Sequence, residues 1–168
     1  MNNQVDSYRF ISRATARIMK AWVKREPYRD TPWTPLSKPL SQSTIALISS
    51  AGMSLKDDKP FDQEGERNNP WWGDPSYRVI PRTATEADVC CYHLHFDPSY
   101  AEQDINCIFP LRRLEEFKEN GQIGRIAPSH YSIMGYILQE QELLQKSAPA
   151  IISNLQSENV DTVLLIPV

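Results

Sequence analysis

The chain has 168 residues, of which 40% are hydrophobic and 23% charged, and these proportions are typical of a globular domain rather than a disordered chain. Eighteen basic residues against 21 acidic ones leave a formal net charge of −3, so no whole-protein attraction to nucleic acid is expected. The sequence has neither the apolar run of roughly 20 residues that a membrane helix needs nor an N-terminal signal peptide, which predicts a cytoplasmic protein without nucleic-acid or membrane partners.

The first predicted element is a helix from about Ser7 to Arg25, with Asp6 or Ser7 as its N-cap. Its apolar face comprises Ile11, Ala14, Ile18 and Trp22, and a basic stripe comprises Arg9, Arg13, Arg17, Lys20 and Lys24. Four prolines between Glu26 and Gln42 forbid a continued helix and predict an extended strap, anchored by Trp33 and Leu36. We assign residues 1–43 to this helix and Pro-rich strap.

Residues 44–168 alternate predicted strands with predicted helices. The apolar run STIALISSAG predicts a strand buried on both faces, and residues 54–69 predict an irregular loop. Further strands are predicted at Tyr77 to Ile80, VCCYHLHF, IGRIAP and DTVLLIPV, and helices at Leu111 to Glu119 and Ile137 to Gln156, the last with a break allowed at Pro149. This alternation predicts an α/β fold with a largely parallel, Rossmann-like sheet and helices on both faces.

In open α/β sheets, ligands bind at the carboxyl ends of the strands. Ser49, Ser50 and Gly52 follow the first buried strand and could bind an anion through backbone N–H groups, although an ordinary turn explains them equally well. Ser132 and Gly135 are weaker candidates beside a later strand.

The stretch HLHFD predicts a row of polar side chains. If it is a strand, His93, His95 and Asp97 project from one side. Three interpretations stay open: proton transfer by a histidine–carboxylate pair, structural hydrogen bonding, and metal binding by two histidines and a carboxylate. We assign no metal site, because His-x-His alone is a common pattern.

The three cysteines, Cys90, Cys91 and Cys107, fit neither a disulfide framework nor a zinc knuckle. The pattern favours small buried residues in a reducing compartment.

An ordered set of segments carries a family resemblance: PWTPLSKPLSQSTIALISSAG, FD, GDPSYRVIP, HLHFD, DINCIFPLRRLEEFKENGQIG, SIMG and VDTVLLIPV. From about Pro32 to Val168 the chain resembles the glycine/sarcosine/betaine reductase selenoprotein B family and its D-proline reductase relatives, the short single-chain members above all. The resemblance implies a reductase in which a selenocysteine or cysteine attacks an activated carbon of an amino-acid-like substrate and releases the nitrogen group, with a disulfide as the acceptor named for the reaction. It also implies a thioredoxin-like electron donor or a selenoprotein A-like protein as partner.

The resemblance also assigns residues. It matches His93, Asp97 and Asp104 to family positions, which we interpret as catalytic, and His95 as lining the substrate pocket. Because the family's substrates carry a carboxylate, Arg78 is a candidate to bind it through two parallel hydrogen bonds; the alternative is that it pairs with Asp74 or covers a loop.

In the family the reactive residue directly follows the strand that matches VDTVLLIPV, commonly with a cysteine three residues later, and none of the three cysteines stands there. We therefore expect no cofactor in this chain, an α/β domain incomplete at its C-terminus, and a UGA selenocysteine codon after that of Val168. The alternatives are a non-catalytic ligand-binding protein or subunit without the nucleophile and, third, a metal-dependent hydrolase; a homo-oligomer is allowed in each case.

Overall fold

The computed structural model of the protein describes residues 12–25, 30, 34–69 and 71–168. The chain divides into two units, residues 1–35 and 36–168. In the first unit, helix α1 (Arg13–Val23) begins after Ser12, whose side chain accepts a hydrogen bond from the Thr15 N–H at 3.1 Å. The predicted caps Asp6 and Ser7 lie outside the described residues.

Helix α1 is amphipathic, as predicted, but its apolar residues are exposed. Ile18 is 67% exposed and Trp22 46%, and no residue of α1 is buried. In the second unit Leu36, a predicted anchor of the strap, is also exposed, so the structure does not confirm a packed strap there. The other predicted anchor, Trp33, is not among the described residues.

The sheet of the second unit is built around strand β1 (Thr44–Ser49). One edge of β1 pairs in parallel with β5 (Arg125–Ile126) and then β6 (Ser129–Ile133), and the other edge pairs in parallel with β7 (Thr162–Ile166). Strand β3 (Tyr77–Pro81) adds to β6 in the antiparallel direction, so the sheet is mixed but mostly parallel. A separate antiparallel pair consists of β2 (Met53–Leu55) and β4 (Val89–Cys91).

Alternate side chains of β1 enter two hydrophobic clusters, as expected for a strand buried on both faces. Ile45 and Leu47 pack in one cluster with residues of helix α4 (Leu111–Glu119), and Ala46 packs in the other with residues of helix α5 (Ala148–Ser157). Helices therefore cover both faces of the sheet, which confirms the α/β prediction at this level.

Two predicted segments differ from the structure. The predicted loop at residues 54–69 contains β2 and a short helix, α2 (Gln63–Asn68). The last helix is not broken at Pro149; a wider π-helical turn (Leu143–Ser147) precedes it, which accommodates a residue that lacks the N–H and clashes in a regular helix interior. None of the helices in the described part of the chain is long and apolar enough to cross a bilayer.

The strand predicted over VCCYHLHF was wrong beyond Cys91. Strand β4 pairs only with β2, and β2 begins directly after Gly52, whose positive φ of 61° turns its backbone out of the ladder. With no partner strand left, the chain turns at residues 94–95 and enters the short helix α3 (Ser99–Gln103). His93, His95 and Asp97 therefore do not form a row on one face of a strand.

Candidate active site

The carboxyl ends of β1, β6 and β7 converge on Gly135. A Cβ atom added there would lie 2.7 Å from His93 Nε2, 2.9 Å from the Ser50 carbonyl oxygen and 3.0 Å from the Val168 carbonyl oxygen. The backbone N–H of Val168 also donates a hydrogen bond to Ser50 Oγ at 2.9 Å. One imidazole nitrogen and two strand ends thus share a space that only glycine leaves open.

Gly52 brings His93 to this place. Its N–H donates to the Ile133 carbonyl and its carbonyl accepts from the Tyr92 N–H, each at 2.9 Å. A Cβ at Gly52 would lie 3.2 Å from the His93 backbone nitrogen and against Met134. The close approach of these backbones is what seats the His93 loop over the end of β1.

The tautomer of His93 follows from its contacts. Its Nδ1 accepts a hydrogen bond from the His95 backbone N–H at 3.1 Å, so in the neutral ring the proton is on Nε2, the nitrogen beside Gly135. Burial, and secondly the neighbouring His95, lower the pKa of His93 below its ordinary value. Near neutral pH the ring is therefore a neutral hydrogen-bond donor at the strand ends.

His95 faces a different partner. Its Nε2 lies 2.8 Å from Glu66 Oε1, and the Glu66 side chain is 3% exposed. The His95 ring centroid lies 4.7 Å from that of Tyr136 and 5.6 Å, edge to face, from that of His93. Sequence reasoning missed Glu66, because the polar, glycine-containing segment QEGERN gave no helical signal.

Asp97 and Asp104 are exposed and cap local turns. Asp97 Oδ1 accepts from the Ser99 N–H at 3.0 Å, and Asp104 Oδ1 accepts from the Asn106 N–H at 2.9 Å. These backbone hydrogen bonds are the main reason why both carboxyl pKa values are lowered. The catalytic role assigned to them by resemblance stays a prediction.

Over the residues that the structure describes, no three histidine, cysteine or acidic side chains come close enough to hold a metal ion.

Two of the predicted serines make internal hydrogen bonds. Ser49 Oγ donates to the Ile108 carbonyl at 2.7 Å, and Ser132 Oγ accepts from the Met53 N–H at 2.7 Å. Both serines are fully buried. Of the serine candidates, Ser50 is the one that lies with His93 at the strand ends.

The guanidinium of Arg78 is used by the chain itself. It donates to the carbonyls of Lys59 (2.6 Å) and Pro60 (3.0 Å), lies 4.2 Å from the centre of the Phe61 ring, and approaches Asp74 at 3.9 Å. Nη1 donates two further hydrogen bonds, to Ser76 Oγ and to the Tyr77 carbonyl. In this arrangement no pair of parallel donors is left for a substrate carboxylate, and the alternative contact with Asp74 is the one observed.

The three cysteines belong to elements other than β1, β6 and β7. Cys90 and Cys91 are half-buried in β4, and Cys107 is exposed in a short turn. Burial raises the pKa of the Cys91 thiol to about 11, the opposite of what an activated nucleophile needs.

Comparisons with known proteins found one matching family and three similar reductase subunits. Residues 27–167 match the family described as glycine/sarcosine/betaine reductase selenoprotein B. D-proline reductase subunit gamma of Acetoanaerobium sticklandii is 35% identical over 133 residues, 79% of this chain and 52% of that protein. The betaine reductase complex component B subunit beta of Peptoclostridium acidaminophilum is 31% identical over 76% of this chain and 28% of its own length. The glycine reductase complex component B subunit gamma of Carboxydothermus hydrogenoformans is 29% identical over 80% and 30%, respectively.

The chain thus spans about half of the first relative and less than a third of the other two. No solved structure was found to match it. Because the family match covers most of its length, the chain belongs to the glycine/sarcosine/betaine reductase selenoprotein B family.

Proposed function

We propose that the chain is part of a selenol- or thiol-dependent reductase that cleaves a carbon–nitrogen bond of an amino-acid-like substrate at the strand ends around Gly135. Relatives named as D-proline, betaine and glycine reductase subunits support the reaction class. The observation that carries the location is the shared space of His93 Nε2, the Ser50 carbonyl and the Val168 carbonyl.

The residues at this place fit the nucleophile that the resemblance implies. In the family, the selenocysteine or cysteine directly follows the strand that matches β7, and it supplies the anion that attacks the substrate carbon. A residue in that position adjoins the Val168 carbonyl, which lies beside the Nε2–H of His93. A hydrogen bond donated to a selenolate or thiolate favours its charged, reactive form.

The chain's own residues then have separate tasks. His93 donates a hydrogen bond where negative charge is held, Ser50 fixes the end of β7 by accepting the Val168 N–H, and Gly135 leaves room for the reacting atoms. We further propose that a dithiol partner of the thioredoxin or selenoprotein A type supplies the two electrons and is left as the disulfide of the couple, and that the location is cytoplasmic. The contacts of Arg78 give no reason to involve it in substrate binding, since its donors are occupied.

The test is to place a cysteine directly after Val168, followed by the family's second cysteine three residues later, with serine at the first position as the matched control. Both proteins are incubated with a dithiol and with D-proline, glycine, sarcosine or betaine, and the released amine or ring-opened product is measured by mass spectrometry. Product from the cysteine chain and none from the serine chain is expected. Equal product from both, or none from either, would contradict the proposal.

A second candidate is a ligand-binding subunit without its own nucleophile. It is favoured by one observation: Cys90, Cys91 and Cys107, all of which the structure describes, lie in elements other than β7, and burial raises the pKa of Cys91 to about 11. In the same experiment this candidate predicts substrate binding by calorimetry in both chains and turnover in neither. The metal-dependent hydrolase has lost its basis, because the row of His93, His95 and Asp97 does not form.

A further inference from the structure

Glu66 is a buried carboxylate with an incomplete set of partners. The residue is 4% exposed; Oε1 lies 2.8 Å from His95 Nε2, while Oε2 has no hydrogen-bond partner in the described part of the chain. Burying a carboxylate in this way is unfavourable for stability, because it loses water without gaining full compensation. A buried polar atom without a partner needs an explanation, and a role in catalysis is one of the recognised ones.

The short helix that carries Glu66 is tied down on both sides. Asp62, its N-cap, accepts from the Gly65 N–H at 2.8 Å, and the Asp62 N–H donates to Asp74 at 3.0 Å. Gln63 Nε2 donates to the Tyr92 carbonyl at 2.7 Å, directly before the two histidines. The carboxylate is therefore held at a fixed place relative to the histidine turn.

His93 and His95 have different hydrogen-bond partners, and these partners determine which ring can take up and release a proton. His93 Nδ1 accepts a backbone N–H, so a proton added there would set two N–H groups against each other. His95 has no such obstacle: its Nε2–H can stay on Glu66 while Nδ1 gains or loses a proton, and its ring is about half exposed. A carboxylate that accepts from one ring nitrogen stabilises the imidazolium that forms when the other is protonated.

We propose that Glu66 and His95 form a carboxylate–imidazole dyad that protonates the leaving nitrogen group of the substrate, with His95 as the catalytic acid and Glu66 as its positioning residue. The proposal rests on the proposed function. As the nucleophile bonds to the carbon, the carbon–nitrogen bond breaks and its electron pair stays on nitrogen, which takes the proton from His95 Nδ1. His95 is left neutral, with its Nε2–H still on the Glu66 carboxylate.

The first arm of the test observes the dyad without any reaction. The chain has three histidines, so the imidazole N–H resonances can be assigned in ¹⁵N-labelled protein by single substitutions. A slowly exchanging Nε2–H resonance of His95 is expected in the wild type and in Glu66→Gln, which keeps an acceptor oxygen, and is expected to vanish in Glu66→Ala. Glu64→Gln, an exposed acid on the same helix, is the matched control and should leave the resonance unchanged. A wild type without a protected His95 N–H overturns the dyad.

The second arm measures turnover in the purified reductase that contains the chain. Glu66→Gln keeps the shape and removes the charge, so it should lower kcat by about tenfold or more with KM nearly unchanged, while Glu64→Gln has no effect. His95→Gln should lower kcat by about a hundredfold. Wild-type kcat in Glu66→Gln and His95→Gln overturns the inference and leaves the proposed function standing. No turnover in the wild type refutes the proposed function and the inference with it. Glu66→Gln decides the question even where Glu66→Ala fails to fold.

Discussion

Lowering the pH from about 7.5 to about 4.5 should destabilise the fold through one buried side chain, His130. This residue is fully buried in β6; its Nδ1 accepts the Leu47 N–H at 3.0 Å, and its ring packs edge to face against Phe109 at 5.8 Å. Its Nε2 has no hydrogen-bond partner among the described residues. Protonation would charge a buried ring and remove the acceptor of the Leu47 N–H.

The magnitude follows from the pKa. Burial, and secondly the charge of Arg82, lower the pKa of His130 from 6.5 to about 4. When the pH is between about 4 and 6.5, His130 is protonated in the unfolded chain but not in the folded chain. The free energy of unfolding therefore falls as the pH drops from 6.5 towards 4. At about 1.4 kcal/mol per unit, the full effect is about 3 kcal/mol, of which about 2.5 kcal/mol is lost by about pH 4.5.

The assay is urea unfolding of the wild type and of His130→Asn at both pH values. Asparagine can keep an acceptor for the Leu47 N–H but does not titrate, and the carboxylates titrate alike in both proteins. The wild type should therefore lose about 2.5 kcal/mol more than the variant on acidification. An equal loss in both proteins would show that His130 is not the group responsible and that its burial does not control its protonation.

Three further predictions use the same contacts. Gly135→Ala needs no positive φ, but its methyl group would lie within 3.0 Å of His93 Nε2 and of the Ser50 and Val168 carbonyl oxygens, so it should displace the strand ends, lower the free energy of unfolding and abolish product formation in the cysteine-bearing chain; retained activity would refute this location. Iodoacetamide at neutral pH should label Cys107 fast and Cys91 slowly, as read by mass spectrometry, because the raised pKa of Cys91 leaves little thiolate; equal rates would contradict it. Ser132→Ala should lower the free energy of unfolding by about 1–3 kcal/mol in urea, because a buried N–H loses its acceptor.

The sequence predicted helix α4 and strands β1 and β7 correctly, because signals within each segment mark these elements. Helix α4 has the predicted bounds, because Pro110 precedes its first turn and Gly121, with a φ of 68°, ends it. Strand β1 was found as a continuous apolar run, which is typical of a strand buried on both faces of a parallel sheet, and β7 was found by the same pattern although its Leu164 and Leu165 are exposed. The position of Ser50 beside the end of β7 follows from these two strands being neighbours.

Strand β6 was missed because its side chains are polar and its hydrogen-bond partners are distant in sequence. The sequence places Ser132 beside a strand, yet Ser132 and His130 are buried within β6 and accept the N–H groups of Met53 and Leu47. These hydrogen bonds satisfy one buried backbone donor of β1 and one of β2. Hydrogen bonds between residues distant in sequence cannot be read from the local pattern. The hydrogen bond between Glu66 and His95 was missed for the same reason.

The spacing of His93 and His95 has a different consequence in a turn from the one it would have in a strand. In a strand both rings would share one face and one set of partners. In the turn, the His95 backbone N–H fixes the tautomer of His93, whose Nε2 then lies at the strand ends, while the His95 side chain is held by Glu66. One ring is thereby kept neutral by burial and the other is placed against a carboxylate. Two adjacent imidazoles with unlike surroundings are what a site needs if one must donate a hydrogen bond to an anion and the other must deliver a proton.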